Sequence, residues 1–411
     1  MLRTAILSAF FLAASVLAQD AFEQAVQAIE NNDFQTAAPL LEKALQEHPA
    51  NVSIRFNLGF CYAQLNRDDK AIEHYSAALE AEPELHAARS NLGMLLMRQD
   101  RPAEAVEHFE QAASARPEDS KIHFFYADAL AKSGNADAAV DAYSRSLALE
   151  PSFAPAALGR GQALAALERY GEAAQSYRRA IELDPGLISM GLELAEIVEQ
   201  AGNTELALSL YRDHAAAKPD EAAVAERIGL LLLRDERYAE AAAALEPAVA
   251  ADPTAASRAA LAEAYSKSDQ LEKAMSERRE AVALAPGDYD LRMRYANALL
   301  AGRFFADASR HYLAATEIDT SRPEAWNGLA FSLYKAENYI GAHKALLESA
   351  SRAEPVPASV YLRALIEDTL KMYEEAKVSY ETFLAAKSGM EDEEWKSEQR
   401  LKLITRVLRN R

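Results

Sequence analysis

Residues 52–85 read VSIRFNLGFCYAQLNRDDKAIEHYSAALEAEPEL, and the spacing inside this stretch decides the fold. Leu58, Gly59 and Tyr62 fall on one helical face, as do Ala71, Tyr75 and Ala78, because residues three or four apart are neighbours on a helix. Asn66 stands between the two runs and Pro83 after the second. Asparagine tolerates the left-handed conformation that ends a helix, and a proline inside a helix costs roughly 3 kcal/mol. The stretch therefore predicts two helices and two breaks.

The same pattern runs along the chain. Ala37, Ala71, Ala105, Ala139, Ala173, Ala207 and Ala241 stand 34 residues apart. Ala274 follows after 33, and Ala308, Ala342 and Ala376 resume the step of 34. Twelve residues before all but the first comes a tiny residue: Gly59, Gly93, Ala127, Gly161, Ala195, Gly229, Ala262, Ala296, Ala330 and Ala364. Four after the alanine comes a large one: Leu41, Tyr75, Phe109, Tyr143, Tyr177, Tyr211, Leu245, Tyr312, Leu346 and Tyr380. Tiny residues let two helix backbones approach, and the large side chain fills the space beside them. Twelve after the alanine comes proline, from Pro49 through Pro83, Pro117, Pro151, Pro185, Pro219 and Pro253 to Pro286. Asn32, Asn66, Asp100, Gly134, Gly202 and Asp269 occupy equivalent turns. A beat this regular means one supersecondary unit, copied and stacked.

The unit resembles the tetratricopeptide repeat, with Leu58, Gly59, Tyr62, Ala71, Tyr75, Ala78 and Pro83 at its signature places. The resemblance covers about residues 20–388 as eleven units. It implies an all-α fold, a right-handed α-solenoid of helix–turn–helix repeats, here with a C-terminal capping helix. The organisation it suggests is a signal peptide at 1–18, repeats at 19–388 and a capping helix at 389–411. Four places depart from the pattern. Arg278 replaces the large apolar residue of the eighth unit, just after the shortened step. His214 and Phe383 stand where small residues belong, and Gln24 where a leucine belongs. Irregular ends suit capping repeats. The irregularity near residues 253–280 is internal and predicts a change of superhelical course there.

Fifty per cent hydrophobic and 26% charged residues describe a folded, soluble chain. The net charge is −19, and −20 once residues 1–18, with Arg3 alone, are removed. Such an excess repels phosphate, so nucleic acid is not an expected partner, nor an anionic membrane surface. Arg3, the apolar run Ala5 to Val16 and the small-residue site Val16-Leu17-Ala18 form a signal-peptide pattern. The run is short of the ~20 residues that span a bilayer, so no stable membrane insertion is expected after cleavage. Cleavage leaves Gln19-Asp20, with Asp20 placed to cap the first helix, and the alternative is an uncleaved N-terminal anchor. No cysteine follows the cleavage point to carry a lipid. The resemblance to exported bacterial repeat proteins points to the periplasm, with secretion as the other destination.

Nothing in the sequence has the spacing of a catalytic or cofactor site, so no enzyme, no metal and no cofactor is expected. Cys61, alone, has no disulfide partner and reads as a packed hydrophobe. His74, His108 and His311 share the place before the large residue, which turns outward and predicts solvated rings.

Function then falls to a surface. In the family, the first helix of each unit lines a concave groove through its second, fifth, ninth and twelfth positions. Carried onto this chain, these are Phe56, Phe60, Met94, Met97 and Phe124, with Phe125 at the edge. Glu193, Glu196 and Glu199 form an acidic row in the sixth unit, and Asn327, Phe331 and Tyr334 a mixed one in the tenth. Aromatic and methionine side chains suit a peptide anchor. Asn57 and Asn91 begin an asparagine ladder like that of sugar-transferase repeats, but Phe125 and Gly159 end it. The expected function is a scaffold or adaptor holding other proteins or extended peptides. The alternative is a structural part of an envelope secretion or polysaccharide-export machine. After Gly389, acids from Glu391 to Glu394 and bases from Arg400 to Arg411 suit a helix macrodipole. Trp395, Leu401, Ile404 and Leu408 predict the apolar stripe of a cap with a polar outer side.

Overall fold

A computed structural model describes residues 16–409. Among these are eleven consecutive helical hairpins and a closing helix, with no strand. The first hairpin pairs Val16–Glu30 with Phe34–Glu47, the eleventh pairs Pro357–Thr369 with Tyr373–Ala385, and Glu391–Arg409 follows. The chain divides into two compact units, one ending at Ala217 and the other starting at Lys218. The first holds six hairpins, the second five and the closing helix. Within each unit successive hairpins pack side by side, the all-α solenoid arrangement that the repeat predicts. The signal segment lies outside the described residues but for Val16–Ala18. Asp20 falls inside the first helix, not at its start.

Each hairpin turn is three residues long, and its middle residue has positive φ, from 56° at Asn66 to 88° at Gly134. At Asn66 the amide of Arg67 donates to the Tyr62 carbonyl at 2.8 Å and that of Asn66 to the Ala63 carbonyl at 3.2 Å. These bonds satisfy carbonyls that the helix end leaves open. All six expected turn residues take this role. So do Glu168, Glu236, Arg303, Glu337 and Lys371, which residue type does not flag.

The eleven marker alanines are fully buried. A Cβ added to Gly59 would lie 2.8 Å from Tyr75 Cδ1, and one on Gly229 2.4 Å from Leu245 Cγ. The tiny residue of the first helix thus faces the large residue of the second. The ten large residues are all buried, each contributing about 1.5–3 kcal/mol.

Two of the departures and the short step are absorbed by packing. His214 is buried with Nδ1 3.4 Å from the Ile188 carbonyl oxygen, and Phe383 is buried beside Tyr361, their ring centroids 5.0 Å apart. The short step removes a residue from the linker before the eighth hairpin. Only Asp252, Pro253 and Thr254 separate its helices, where 218–221 and 285–288 have four residues. Thr254 makes the shorter linker sufficient. Its Oγ1 accepts from the Ser257 amide at 3.0 Å, and Ser257 Oγ accepts from the Thr254 amide at 3.1 Å.

The closing helix covers the eleventh hairpin through Ile404, Leu401 and Leu408, which pack with Ala364, Ala376 and Tyr380. Trp395 is not part of that stripe: it is 64% exposed, and the fully buried Ser397 takes the inward place. Ser397, Leu401, Ile404 and Leu408 follow one helical face, whereas Trp395 lies two residues off it. Leu403 and Val407 are exposed as well, so the outer side is not purely polar.

Candidate protein-binding face

The residues expected to line a groove all lie on first helices, and the hairpin packing sets how much of each is free. In the first unit Phe56 is half-buried, edge-on to Tyr75 with centroids 5.6 Å apart. Phe60 meets Phe34 edge-on at 5.7 Å. Met94 and Met97 are half-buried against the same core. Phe124 is held by Phe125 at 5.4 Å, Tyr143 at 5.9 Å and Phe153 at 5.1 Å. These side chains present partial faces and spend the rest of their area joining neighbouring helices.

The acidic row does not survive as a row. Glu193 and Glu196 are exposed, but Glu199 is buried and accepts a hydrogen bond from the Tyr211 hydroxyl at 3.0 Å. The larger side chain of the second helix reaches the acid and draws it inward.

In the second unit Phe331 is 40% exposed, the most open of the expected apolar groove residues. Tyr334 is half-buried, edge-on to Tyr339 at 5.8 Å. The Lys335 ammonium lies 5.3 Å from the Phe331 centroid and 5.7 Å from that of Tyr334. Asn327 accepts from Ser359 Oγ at 3.1 Å, linking adjacent hairpins. Leu230 is exposed and was not among the expected residues. Its signal is its place directly after Gly229, where Phe60, Met94 and Phe331 follow their own tiny residues.

The titratable groups near these faces behave as packing groups. Cys61 is fully buried, and burial pushes its thiol up to about 12, leaving no thiolate near neutrality. His74, His108 and His311 are half-buried, so their rings are only partly solvated. His74 stacks on Tyr62 at 5.6 Å, His311 meets Tyr295 at 4.6 Å, and the Nδ1 of all three has no hydrogen-bond partner. Burial lowers each of these three imidazoles below its ordinary value. Among the described residues no group of three or more His, Cys, Asp or Glu is placed to hold a metal ion. No described helix is long and apolar enough to cross a membrane.

Ring faces flanked by charge associate through desolvated area, the usual basis of a protein contact. Solved structures similar to this chain include the crystal structure of MamA protein, at 20% identity and TM-score 0.39, covering 41% of this chain and 92% of that one. MamA 41-end from Desulfovibrio magneticus RS-1 is 16% identical with TM-score 0.41, over 42% and 98% of the two chains. MamA AMB-1 is 22% identical with TM-score 0.39, over 41% and 98%. No curated protein matches the chain. Tetratricopeptide-repeat models match residues 28–92, 90–152, 127–188 and 226–289, together more than half of the sequence. The same hairpin, with its buried alanine and left-handed turn, continues through the eleventh unit. The chain belongs to the tetratricopeptide-repeat family.

Proposed function

We propose that this protein is an exported, non-catalytic scaffold that holds extended segments of other proteins against its first helices. Tetratricopeptide repeats are protein-interaction modules, and the observation that carries the reading here is Phe331. A phenylalanine 40% exposed beside Tyr334 and beneath Lys335 gives a partner an apolar anchor with an adjacent cation. Phe60 and Phe124 make poorer probes of the same role, because their substitution also breaks contacts between hairpins. The test is crosslinking of the protein in the envelope fraction, with partners identified by mass spectrometry, for the parent and for Phe331→Glu. Loss of one defined partner with an unchanged melting temperature supports the reading; an identical crosslink pattern overturns it.

Export is supported by the signal-peptide pattern of residues 1–18. N-terminal sequencing of the mature protein is expected to begin at Gln19; retention of Met1 would remove the cleavage, and recovery of the protein in the cytoplasmic fraction would remove the export proposal.

A further inference from the structure

Ten of the eleven hairpins bury a large apolar residue four places after the marker alanine; the eighth has Arg278 there. Arg278 lines a cleft of about 700 Å³ in the second unit. Its apolar wall comes from Leu271, Met275, Leu291 and Phe304, and Leu271 and Phe304 are more than half exposed. In other hairpins the large residue fills the equivalent space, as Tyr312 does: it lies 2.3 Å from where a Cβ on Gly328 would be. Gly328 comes 16 residues after Tyr312; 16 after Arg278 stands Arg294, which also lines the cleft.

The charges in the cleft are unbalanced. Lys267, Arg278 and Arg294 face Glu263 and Glu272. The closest opposed pair, Arg294 and Glu263, is 3.9 Å apart and largely exposed. Arg278 makes no hydrogen bond or ion pair among the described residues. Burial, with the repulsion of Arg294 added and the attraction of Glu263 opposing, weakens the hold of Arg278 on its proton. In a chain of net charge −19 this is an unusual place for surplus cation. A guanidinium that is half-buried and unpaired lacks an anion, and it stands beside an apolar wall.

We propose that this cleft is a binding site for a small amphipathic organic acid, whose apolar body packs on Leu271, Met275, Leu291 and Phe304 while its carboxylate meets the Arg278 guanidinium. The volume falls within the roughly 300–1,000 Å³ of small-molecule sites, and guanidinium–carboxylate pairing is bidentate and orienting. The site is separate from the Phe331 face and does not depend on it.

Calorimetric titration of the full chain with phenylbutyrate, phenylbutanamide and phenylbutylamine tests the assignment. The acid is expected to bind at least roughly tenfold more tightly than the amide or the amine. Arg278→Leu, which restores the repeat pattern, and Arg278→Gln, which keeps a polar side chain but removes the charge, are both expected to lose that preference. Arg278→Lys retains part of it, and Phe331→Glu binds as the parent does. Equal affinity for acid and amide, no saturable binding at millimolar acid, or unchanged binding by both Arg278→Leu and Arg278→Gln overturns the proposal. Displacement of the acid at lower concentration by an amidated peptide containing Glu-Phe assigns the cleft to a protein segment and overturns the small-molecule ligand.

Discussion

Glu168, Glu236 and Glu337 hold φ at 58°, 58° and 61°, a region that costs a side-chain-bearing residue roughly 1–2 kcal/mol. Glycine escapes that cost but adds chain entropy to the unfolded state, which offsets roughly 0.5–1 kcal/mol. Glu236→Gly is therefore expected to stabilise the protein by about 0.5–1 kcal/mol, read as a rise in the denaturation midpoint. An unchanged or lower midpoint would count against the left-handed turn at this place. Asn32, Asp100 and Gly134 were legible as turn residues because their types favour that conformation. The glutamates were not, because hairpin register imposes the conformation and side-chain type does not advertise it. The opposite case is Ala173, fully buried at a helix crossing. Ala173→Leu adds three carbons where no space exists and is expected to cost about 1–3 kcal/mol by chemical denaturation.

At the scale of the helix, neighbours decide what a periodic pattern cannot. The sequence placed His74, His108 and His311 on an outer face, yet all three are half-buried, with Tyr62 and Tyr295 of the adjoining first helices against His74 and His311. Burial is the largest cause of their lowered basicity, so the folded chain resists protons that the unfolded chain accepts. Their contribution to stability is full above the ordinary histidine value of 6.5 and is lost as the pH falls below it. Melting temperature should thus drop on acidification from about pH 7 to about pH 5, and less so in a His74→Gln/His108→Gln/His311→Gln variant. Equal drops would show that other groups carry the acid sensitivity. The closing helix gives the same lesson without charge. Its existence and polarity were readable, and helical spacing already puts Ser397 in line with Leu401, Ile404 and Leu408. A serine gives no hydrophobic signal and Trp395 does, so the apolar stripe read from sequence runs through the wrong residue. Glu199 is a second instance, since only the reach of Tyr211 across the hairpin reveals that the acid turns inward.

Across the whole molecule, the repeat made the architecture legible because every unit restates the same contacts, so errors in one unit are corrected by ten others. The candidate site had no such redundancy. A groove residue appears once, and its exposure depends on whichever rings sit beside it, as Phe60 beside Phe34 and Phe331 beside Lys335 illustrate. The same locality governs stability. Interactions pass from hairpin to adjacent hairpin, so loss at one place should spread only as far as neighbouring interfaces carry it. The closing helix tests this directly. It is the element that covers Tyr380, Ala376 and Ala364, with Ile404 fully buried among them. Ile404→Ala is expected to weaken that contact by roughly 2–5 kcal/mol. Truncation before Glu391 would remove it altogether. Amide hydrogen exchange in either variant should accelerate first in the eleventh hairpin, then in the tenth, while the hairpins before Ala217 keep parent rates. Trp395→Ala, which removes a ring that buries little, should leave the profile unchanged. A uniform acceleration along the chain would mean that the hairpins fold as one cooperative body, and the nearest-neighbour account of this stack would have to be abandoned.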